Sequence, residues 1–528
     1  MDLVSVRWER IQVIVRLRPR PGEPLNPLGV ELRRRGTAGR AVPHDAMRPT
    51  RSFVEGSEIV ARFNVMLGPG QRPLEPGRWI LVWANAGHRA DDSIHVDDPD
   101  SVAAAAPAAR FELRQGEYRA AVRLDPADRS LGLDITQGTV PPRISWRAVR
   151  HSVRRARSLL FWTLIAALQL AADRNGRRVL FTSVSRAEIG GNLKLVHDRM
   201  VERGLDRTYE LLTLFKPDPR ASRSWRDLVR LPWLLAQADV VVIDDYHPVI
   251  YGLDGSRVKI IQLWHASGAF KAVDYSRIGK EGAPSPYARI HKNYRYAVVS
   301  SDHDVPFYAE AFGIPEERVV PTGIPRMDRF FDPKAQAEGR EAALDAFPEA
   351  RGRKTILFAP TFRGSGRKNI TYDFSQIDYA ALHALCVEQD AVVIVRPHPS
   401  LNGRFMIPAP YRDRILDQAV FTTDAPDVLF AADLLVTDYS SIVFEYSTLD
   451  RPMLFFAYDL EEYIATRDFY VPYEEFVPGK IVRTFDALLD AIRREDYEAE
   501  KVRPFVDRHF GHRDSGSTDR VIDRLILG

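Results

Sequence analysis

The first third of the chain alternates apolar and polar positions over short stretches that are separated by proline and glycine. Stretches of this kind begin at Ile11, Ile59, Trp79 and Ala120. Alternation with a period of two is typical of strands that bury one face, and proline–glycine pairs mark the turns between them. Residues 1–140 are therefore predicted to form an all-β sandwich. Its role stays open between a packing or spacer module and a module that binds the acceptor or a partner.

A segment of different character follows at residues 141–175. Its first half contains five arginines between Arg147 and Arg157, and its second half is an apolar run that begins at Leu159. This run is too short to span a bilayer. It predicts either a helix buried in the core or, together with the arginines, a helix that lies against anionic lipid headgroups.

From residue 176 onward, short β-branched runs alternate with stretches of helical length. Runs such as those at Arg178, Val240 and Thr355 are typical of strands buried in parallel sheets. The pattern predicts two doubly wound α/β domains, at 176–335 and 336–528. Because ligands of such sheets bind at the carboxyl ends of the strands, we expect the active site in the cleft between the domains.

Composition and charge exclude several classes of protein. A chain of 528 residues with 45% apolar and 27% charged residues is typical of a packed multidomain protein. A net charge of +3 gives no overall basic excess, so we expect no nucleic-acid partner. The single cysteine, Cys386, cannot form an intrachain disulfide, which indicates a reducing, cytoplasmic compartment. Neither a signal peptide nor a membrane-spanning stretch is predicted.

Two histidines follow predicted strands directly. His265 comes after an apolar run and precedes small residues, a setting in which an imidazole can approach a substrate and remove a proton from a hydroxyl. His398 lies between two prolines and two residues after Arg396, whose planar guanidinium matches phosphate oxygens. Taken alone, a histidine beside a tryptophan is more often a packing residue, and the second motif also fits a strand-terminating turn. Together they indicate a phosphate-handling site.

Two further loops at strand ends offer groups for an anion. Asp438, Ser440 and Ser441 stand between a predicted strand and a helix, where serine hydroxyls and free N–H groups form an anion site, although helix capping also explains the serines. Glu445, one turn later, is placed to accept hydrogen bonds from ribose hydroxyls.

The fourth loop contains Thr361 and Arg363, which offer a hydroxyl and a guanidinium to a phosphate. Walker A, GxGxxG and GxSxG motifs are missing from the sequence, which disfavours ATPases, dehydrogenases and α/β-hydrolases. The strand-end motifs carry no DxD pair and no Cys/His spacing of a zinc site. We therefore predict a transfer that uses side chains alone, with no metal and no cofactor.

In combination and order, these motifs resemble the CDP-glycerol:poly(glycerophosphate) glycerophosphotransferases that polymerise teichoic acids. The resemblance covers residues 178–489 and is carried by the motifs at 263–268, 299–301, 307–313, 322–328, 359–363, 396–399 and 437–445. It implies a GT-B-like fold, in which two Rossmann-type domains face each other across a cleft.

The resemblance also implies an activity. The terminal hydroxyl of a lipid-linked glycan acceptor would attack the β-phosphate of CDP-glycerol or a related CDP-polyol and release CMP. In that reaction His265 would act as the base and His398 would stabilise the diphosphate or the leaving CMP. The donor site would be lined by Thr361, Arg363, Arg396, Asp438, Ser440, Ser441 and Glu445. The cleft would be shaped by Ser267, Arg326 and Asp328.

A lipid-linked acceptor places such an enzyme at the inner membrane surface, so we expect peripheral attachment to the cytoplasmic face of the plasma membrane. Two alternatives remain at this stage. One keeps the fold and makes the protein a GT-B glycosyltransferase with a nucleotide-sugar donor. The other makes it a non-catalytic protein that binds a glycopolymer through its β-sandwich.

Overall fold

A computed structural model describes most of the chain. The described residues are 1–35, 41–83, 94, 96, 108–113, 116–125, 129–138, 146–172, 174–215, 225–280, 283–364, 371–397, 401, 406–418 and 425–528. Within these ranges the strands form two antiparallel sheets followed by two parallel sheets.

The antiparallel sheets contain the strands between residues 2 and 137. One sheet consists of β1 (Asp2–Glu9), β2 (Gln12–Arg18), β5 (Arg51–Glu55) and β6 (Glu58–Asn64), in the order β1-β2-β6-β5. The other consists of β3 (Val30–Arg35), β4 (Ala41–Met47), β7 (Gly77–Trp83), β8 (Ala109–Leu113), β9 (Gly116–Leu124) and β10 (Leu131–Gln137), in the order β4-β3-β7-β10-β9-β8. Apolar side chains of both sheets, including Val15, Phe63, Leu81 and Leu133, lie in one buried cluster.

A long helix, α1 (Trp146–Ala171), separates the antiparallel sheets from the parallel ones. Ile165 is fully buried, and the Trp162 ring packs closely on Gly252. Leu160 and Leu170 point to solvent, with exposed fractions of 74% and 73%. The apolar half of this segment is thus buried on one side and exposed on the other. No helix in the described ranges is both long enough and apolar enough to cross a bilayer.

The first parallel sheet consists of β11 (Arg178–Thr182), β12 (Glu210–Leu214), β13 (Val240–Ile243), β14 (Lys259–Gln262), β15 (Tyr296–Val298) and β16 (Val319–Val320), in the order β12-β11-β13-β14-β15-β16. The helices around it are α2 (Gly191–Glu202), α3 (Trp225–Gln237), which packs on α1, and α4 (Val305–Phe312). The strand order reverses between β11 and β13, which is where ligands bind in such folds.

The second parallel sheet consists of β17 (Lys354–Ala359), β18 (Ala391–Val395), β19 (Ile415–Asp417), β20 (Leu434–Thr437), β21 (Met453–Phe456) and β22 (Lys480–Val482), in the order β19-β18-β17-β20-β21-β22. The helices around it are α5 (Pro333–Ala346), α6 (Tyr379–Glu388), α7 (Ala425–Ala431), α8 (Ile442–Ser447), α9 (Leu460–Thr466), α10 (Tyr473–Phe476), α11 (Phe485–Arg494) and α12 (Val502–His509). Here the order reverses between β17 and β20.

The end of the chain returns to the first α/β domain. It forms α13 (Ser517–Val521), which continues as a π-helix over Ile522–Leu527. The carboxylate of Asp328 accepts hydrogen bonds from the N–H groups of Ser517 and Thr518, at 2.8 and 2.9 Å. On α2, Arg199 donates to Asp519 at 2.9 and 2.8 Å. The predicted domain boundaries stay predictions, and this last segment contacts the first domain.

Candidate active site

Backbone pairing joins the two α/β domains beside the cleft. The N–H of Ala272 donates to the carbonyl of Asp468 at 2.9 Å, and the N–H of Tyr470 donates to the carbonyl of Phe270 at 3.1 Å. The rings of Phe270 and Phe476 stack with their centroids 4.0 Å apart. The loop that follows β14 is therefore anchored in the second domain.

A polar cluster, formed by Ser267, Arg326 and Glu445, joins the two domains at the cleft and is called here the bridging cluster. The Ser267 hydroxyl donates to Glu445 Oε1 at 2.9 Å, and Arg326 Nη2 contacts the same carboxylate oxygen and lies 3.2 Å from Ser267 Oγ. Ser267 and Glu445 are both buried. The Arg326 side chain is 35% exposed, but loss of this partner would leave the buried Glu445 carboxylate without its opposite charge, which is unfavourable. The cluster therefore holds the two domains in contact.

His265 lies at the carboxyl end of β14, and its side chain is 54% exposed. The preceding residue, Trp264, has a left-handed backbone with φ of 54°, and its ring packs on the imidazole at a centroid distance of 4.4 Å. The Nδ1 atom of His265 lies 3.9 Å from Oδ1 of Asp245, which follows β13. This distance exceeds a hydrogen bond but places a carboxylate beside the ring. The predicted contact of His265 with a substrate hydroxyl stays a prediction.

Asn192, in the first turn of α2, connects His265 with the bridging cluster. Its Nδ2 donates to the carbonyl of Trp264 at 2.7 Å, and its Oδ1 accepts from the N–H of Arg326 at 2.9 Å. The side chain is buried. Neither Asn192 nor Asp245 was identified from the sequence. The position of Asp245 directly after a predicted strand was the available signal for it, whereas Asn192 stands inside a helix and gave none.

Arg186, Arg326 and Arg396 lie near one another, and two of them have a carboxylate partner, since Arg186 Nε donates to Asp244 at 2.9 Å and Arg326 contacts Glu445. Burial, together with the like charges of Arg186 and Arg396, acts to lower the pKa of Arg326 to about 10, and Tyr308 acts in the opposite direction. Direct contact with the Glu445 carboxylate also favours the charged form, so this guanidinium stays protonated at neutral pH. Burial also lowers the pKa of Arg396. Among these three, Arg396 forms no ion pair with a carboxylate of the described residues, and its predicted contact with a phosphate stays a prediction.

Asp438 organises the loops that follow β17 and β20. It accepts hydrogen bonds from the N–H of Thr361 at 2.8 Å and from Arg363 Nη1 at 2.9 Å. Arg363 also donates through Nε and Nη2 to Asp459, at 2.5 and 2.9 Å, and its guanidinium lies 4.8 Å from the centroid of the Tyr439 ring. Burial opposes the charged form of Arg363, but the two carboxylates outweigh it and raise its pKa.

Arg363 thus links the loop after β17 to the loops after β20 and β21. Its predicted contact with the donor stays a prediction. The same holds for Glu445, whose carboxylate is turned toward Ser267 in the other domain. Ser440 and Ser441 lie at the turn before α8. The Ser440 hydroxyl accepts a hydrogen bond from the N–H of Ile442 at 3.3 Å, and Ser441 is exposed.

The second predicted histidine, His398, lies outside the described residues, and its role stays a prediction. Arg396 is described, and its N–H donates to the carbonyl of Phe358 at 2.8 Å. Asp328 accepts hydrogen bonds from the start of α13, and its predicted part in shaping the cleft stays a prediction. In the described part of the chain, no group of three or more His, Cys, Asp or Glu side chains is arranged to hold a metal ion.

The architecture, with two parallel sheets whose carboxyl ends face one cleft, is GT-B-like. The sequence model of the CDP-Glycerol:Poly(glycerophosphate) glycerophosphotransferase family matches residues 164–527. The chain belongs to this family.

Two curated relatives extend this result. Teichoic acid ribitol-phosphate polymerase TarK of Staphylococcus aureus is 46% identical over 70% of this chain and 72% of its own length. Teichoic acid poly(ribitol-phosphate) polymerase of Bacillus spizizenii is 35% identical over 71% of this chain and 60% of its own length. The solved structure of the wall teichoic acid polymerase TagF shares the fold, with a TM-score of 0.55 and 20% identity over 72% of this chain and 98% of that one.

Gly268 provides a test of the contact between the two domains. A Cβ atom at this position would lie 2.2 Å from the Phe444 ring, which is fully buried on α8. Because that ring is packed on all sides, we expect Gly268→Ala to lower the unfolding free energy by about 1–3 kcal/mol, the usual cost of overpacking. Thermal unfolding of the full chain measures this.

The double variant Gly268→Ala with Phe444→Leu is the matched control. The smaller leucine makes room for the added methyl group. The double variant should therefore lose less stability than the sum of the losses of the two single variants, whereas independent effects would add. A wild-type melting temperature for Gly268→Ala alone would show that the two domains do not touch here in solution.

Proposed function

We propose that the chain transfers ribitol phosphate from CDP-ribitol to a hydroxyl at the end of a lipid-linked acceptor. The polymer that results is of the teichoic acid type, and CMP is released. The choice of ribitol draws on the two relatives named for ribitol phosphate, at 46% and 35% identity. The observation that carries the proposal is the position of His265 on one wall of the cleft, with the serines before α8 on the other.

The bridging cluster supports this placement of the two walls. Ser267 is two residues after His265, and its partner Glu445 is four residues after Ser441. A donor diphosphate held at Ser440 and Ser441 would therefore have its reactive phosphorus within the space that His265 faces. Groups on both sides of the phosphorus are what an in-line displacement requires.

The reaction then proceeds as follows. His265 Nε2 takes the proton from the acceptor hydroxyl, whose oxygen forms a bond to the phosphorus that carries ribitol. The bond from this phosphorus to the oxygen it shares with CMP breaks, and CMP leaves as a phosphate monoester. Asp245 stabilises the imidazolium that forms, and Arg396 stabilises the charge on the leaving group. His398 keeps its predicted part in this last step.

The donor preference is testable by incubating the full chain with CDP-ribitol or CDP-glycerol and a short acceptor, and by measuring CMP release and phosphodiester formation. We expect kcat/KM for CDP-ribitol to be at least about tenfold higher, because a site built for the longer polyol leaves polar groups unpaired around glycerol. Equal values, or preference for CDP-glycerol, would refute the assignment of ribitol. Formation of a glycoside from a nucleotide sugar would refute the reaction class.

Replacing the proposed base gives a second test. We expect His265→Ala to lower kcat by about a hundred- to ten-thousand-fold, the usual contribution of a general base, with the Kd for CDP-ribitol nearly unchanged. His383→Ala is the matched control, since this histidine lies on α6 and bonds to Asp413 at 2.9 Å. Wild-type turnover in His265→Ala would remove the residue from the mechanism.

We also propose that α1 attaches the protein to the cytoplasmic face of the plasma membrane. The exposed leucines of this helix, which are Leu159, Leu160, Leu164 and Leu170, offer apolar surface next to the arginine-rich half of the segment. A helix with a basic part and an apolar face binds anionic bilayers by burying that face among the headgroups.

Vesicle sedimentation measures this attachment. We expect the variant Leu160→Ser with Leu170→Ser to bind vesicles that contain phosphatidylglycerol at least about tenfold more weakly, since burying a leucine contributes about 1.5–3 kcal/mol. Val201→Ser with Val387→Ser removes exposed apolar side chains from α2 and α6 and serves as the control. Equal binding by both variants would show that α1 is not the membrane contact.

A further inference from the structure

A cavity of about 350 Å³ lies between the antiparallel sheets and the first α/β domain. Residues of β1, β2, β5 and β6 form one side, and the loop after β15 with the start of α4 forms the other. The volume is at the lower end of the range for small-ligand sites. The cavity is separate from the His265 loop, and all three of its arginines come from the part of the chain that precedes the family match.

The position of this cavity relative to the cleft is fixed by a buried ion pair. Arg10 Nε, in the turn between β1 and β2, donates to Glu310 Oε1 on α4 at 2.7 Å, and Gln12 donates to the same carboxylate. The Arg10 guanidinium also lies 5.0 Å from the centroid of the Tyr470 ring. Tyr470 belongs to the second α/β domain and shares a 2.9 Å hydrogen bond with Ser276. All three parts of the protein thus meet beside the cavity.

Two arginines in the cavity wall stand directly opposite each other. Arg51 on β5 and Arg62 on β6 are cross-strand partners, and both line the cavity. Like charges at directly opposed positions destabilise a pair of strands. A fold that keeps two arginines in this arrangement gains if an anion lies between them.

The carboxylates near these two arginines are too distant to form hydrogen bonds with them. The closest one to Arg51 is Glu316, with Oε2 at 3.8 Å, and the closest one to Arg62 is Glu9, with Oε2 at 3.6 Å. Both distances exceed a hydrogen bond. Nε of Arg62 is buried and has no hydrogen-bond partner in the described part of the protein. Such a donor is costly to bury unless a ligand accepts from it.

The cavity and the proposed base lie at the same edge of one sheet. β15 is the hydrogen-bonded neighbour of β14, and it leads into Asp302 and His303, which line the cavity. Asp304 accepts a hydrogen bond from the N–H of Ala269 at 3.3 Å, which ties the two loops together. The loop that bears His265 and the loop that lines the cavity are therefore direct neighbours.

We propose that the cavity binds an internal repeating unit of the growing polymer, with its phosphodiester between Arg51 and Arg62. The carboxylates of Glu9 and Asp302 accept hydrogen bonds from the polyol hydroxyls, and the Phe307 ring covers the carbon chain. This mixture of guanidinium, carboxylate and aromatic groups fits a polyol phosphate better than a bare anion. The inference rests on the proposed function, since it assigns the acceptor of that reaction to a second site.

The test is direct binding of a short poly(ribitol phosphate) oligomer to the full chain, measured by calorimetry without donor. We expect Arg51→Gln with Arg62→Gln to weaken binding at least about tenfold, and to flatten its dependence on salt because two cations are lost. The matched control is Arg110→Gln with Arg123→Gln, which removes two arginines from the other antiparallel sheet that also lie 3.7 and 3.5 Å from a carboxylate. The control should bind like the wild type.

A steady-state measurement gives the second readout. In the Arg51 and Arg62 double variant, KM for the oligomeric acceptor should rise by a similar factor, while KM for the CDP-polyol stays unchanged. Removing the opposed charges should leave the melting temperature of the ligand-free protein equal to or above that of the wild type. A lower melting temperature with unchanged oligomer affinity would contradict the proposal.

Two further outcomes identify the source of the anion and separate this inference from the proposed function. If inorganic phosphate or CMP displaces the oligomer from the cavity at equal concentration, the site binds a free anion and the proposal is wrong. If the oligomer binds through Arg51 and Arg62 but no CDP-polyol supports transfer, the binding site is supported and the proposed reaction is refuted.

Discussion

The bridging cluster of Ser267, Arg326 and Glu445 is the interaction on which the rest of the site depends. It places a carboxylate from one α/β domain against a guanidinium and a hydroxyl from the other, in a buried position. A carboxylate buried without partners would be strongly unfavourable, so the contact favours one relative position of the domains. In that position the loop after β14 and the turn before α8 face each other. The Arg326–Glu445 ion pair therefore positions the two walls of the cleft, and this effect does not require contact with a substrate.

The sequence predicted the strands well because their signal is local. Alternation in the first third matches β2, β6, β7 and β9, and the β-branched runs match β11, β13, β14, β17, β18, β20 and β21. The other strands of the parallel sheets, which are β12, β15, β16, β19 and β22, were not singled out. The sequence also predicted which residues follow the strands, because each apolar run ends at or near the residue where its strand ends. His265, Asp438 and Ser440 all lie at such ends, as expected from the rule that parallel strands present their carboxyl ends to ligands.

The partners of these residues could not be predicted, because pairing depends on loops that are distant in sequence. Arg363 reads as a phosphate-binding side chain, yet two carboxylates and a set of tyrosine rings already surround it. Glu445 reads as a ribose contact, yet it reaches across the cleft. Asn192 joins two loops through backbone groups, which leave no trace in the sequence. The type of a side chain shows which groups it can bind. Which group it does bind depends on the residues that the fold places next to it.

The return of the chain end to the first α/β domain has a mechanical consequence. The polypeptide passes between the two domains once before α5 and once again before α13, where Asp328 and Arg199 fasten it. Two covalent crossings restrict the relative movement of the domains more than one crossing would, because the domains can separate only as far as both connections allow. Together with the backbone pairing at Ala272 and Tyr470, these crossings oppose sliding and twisting of one domain against the other.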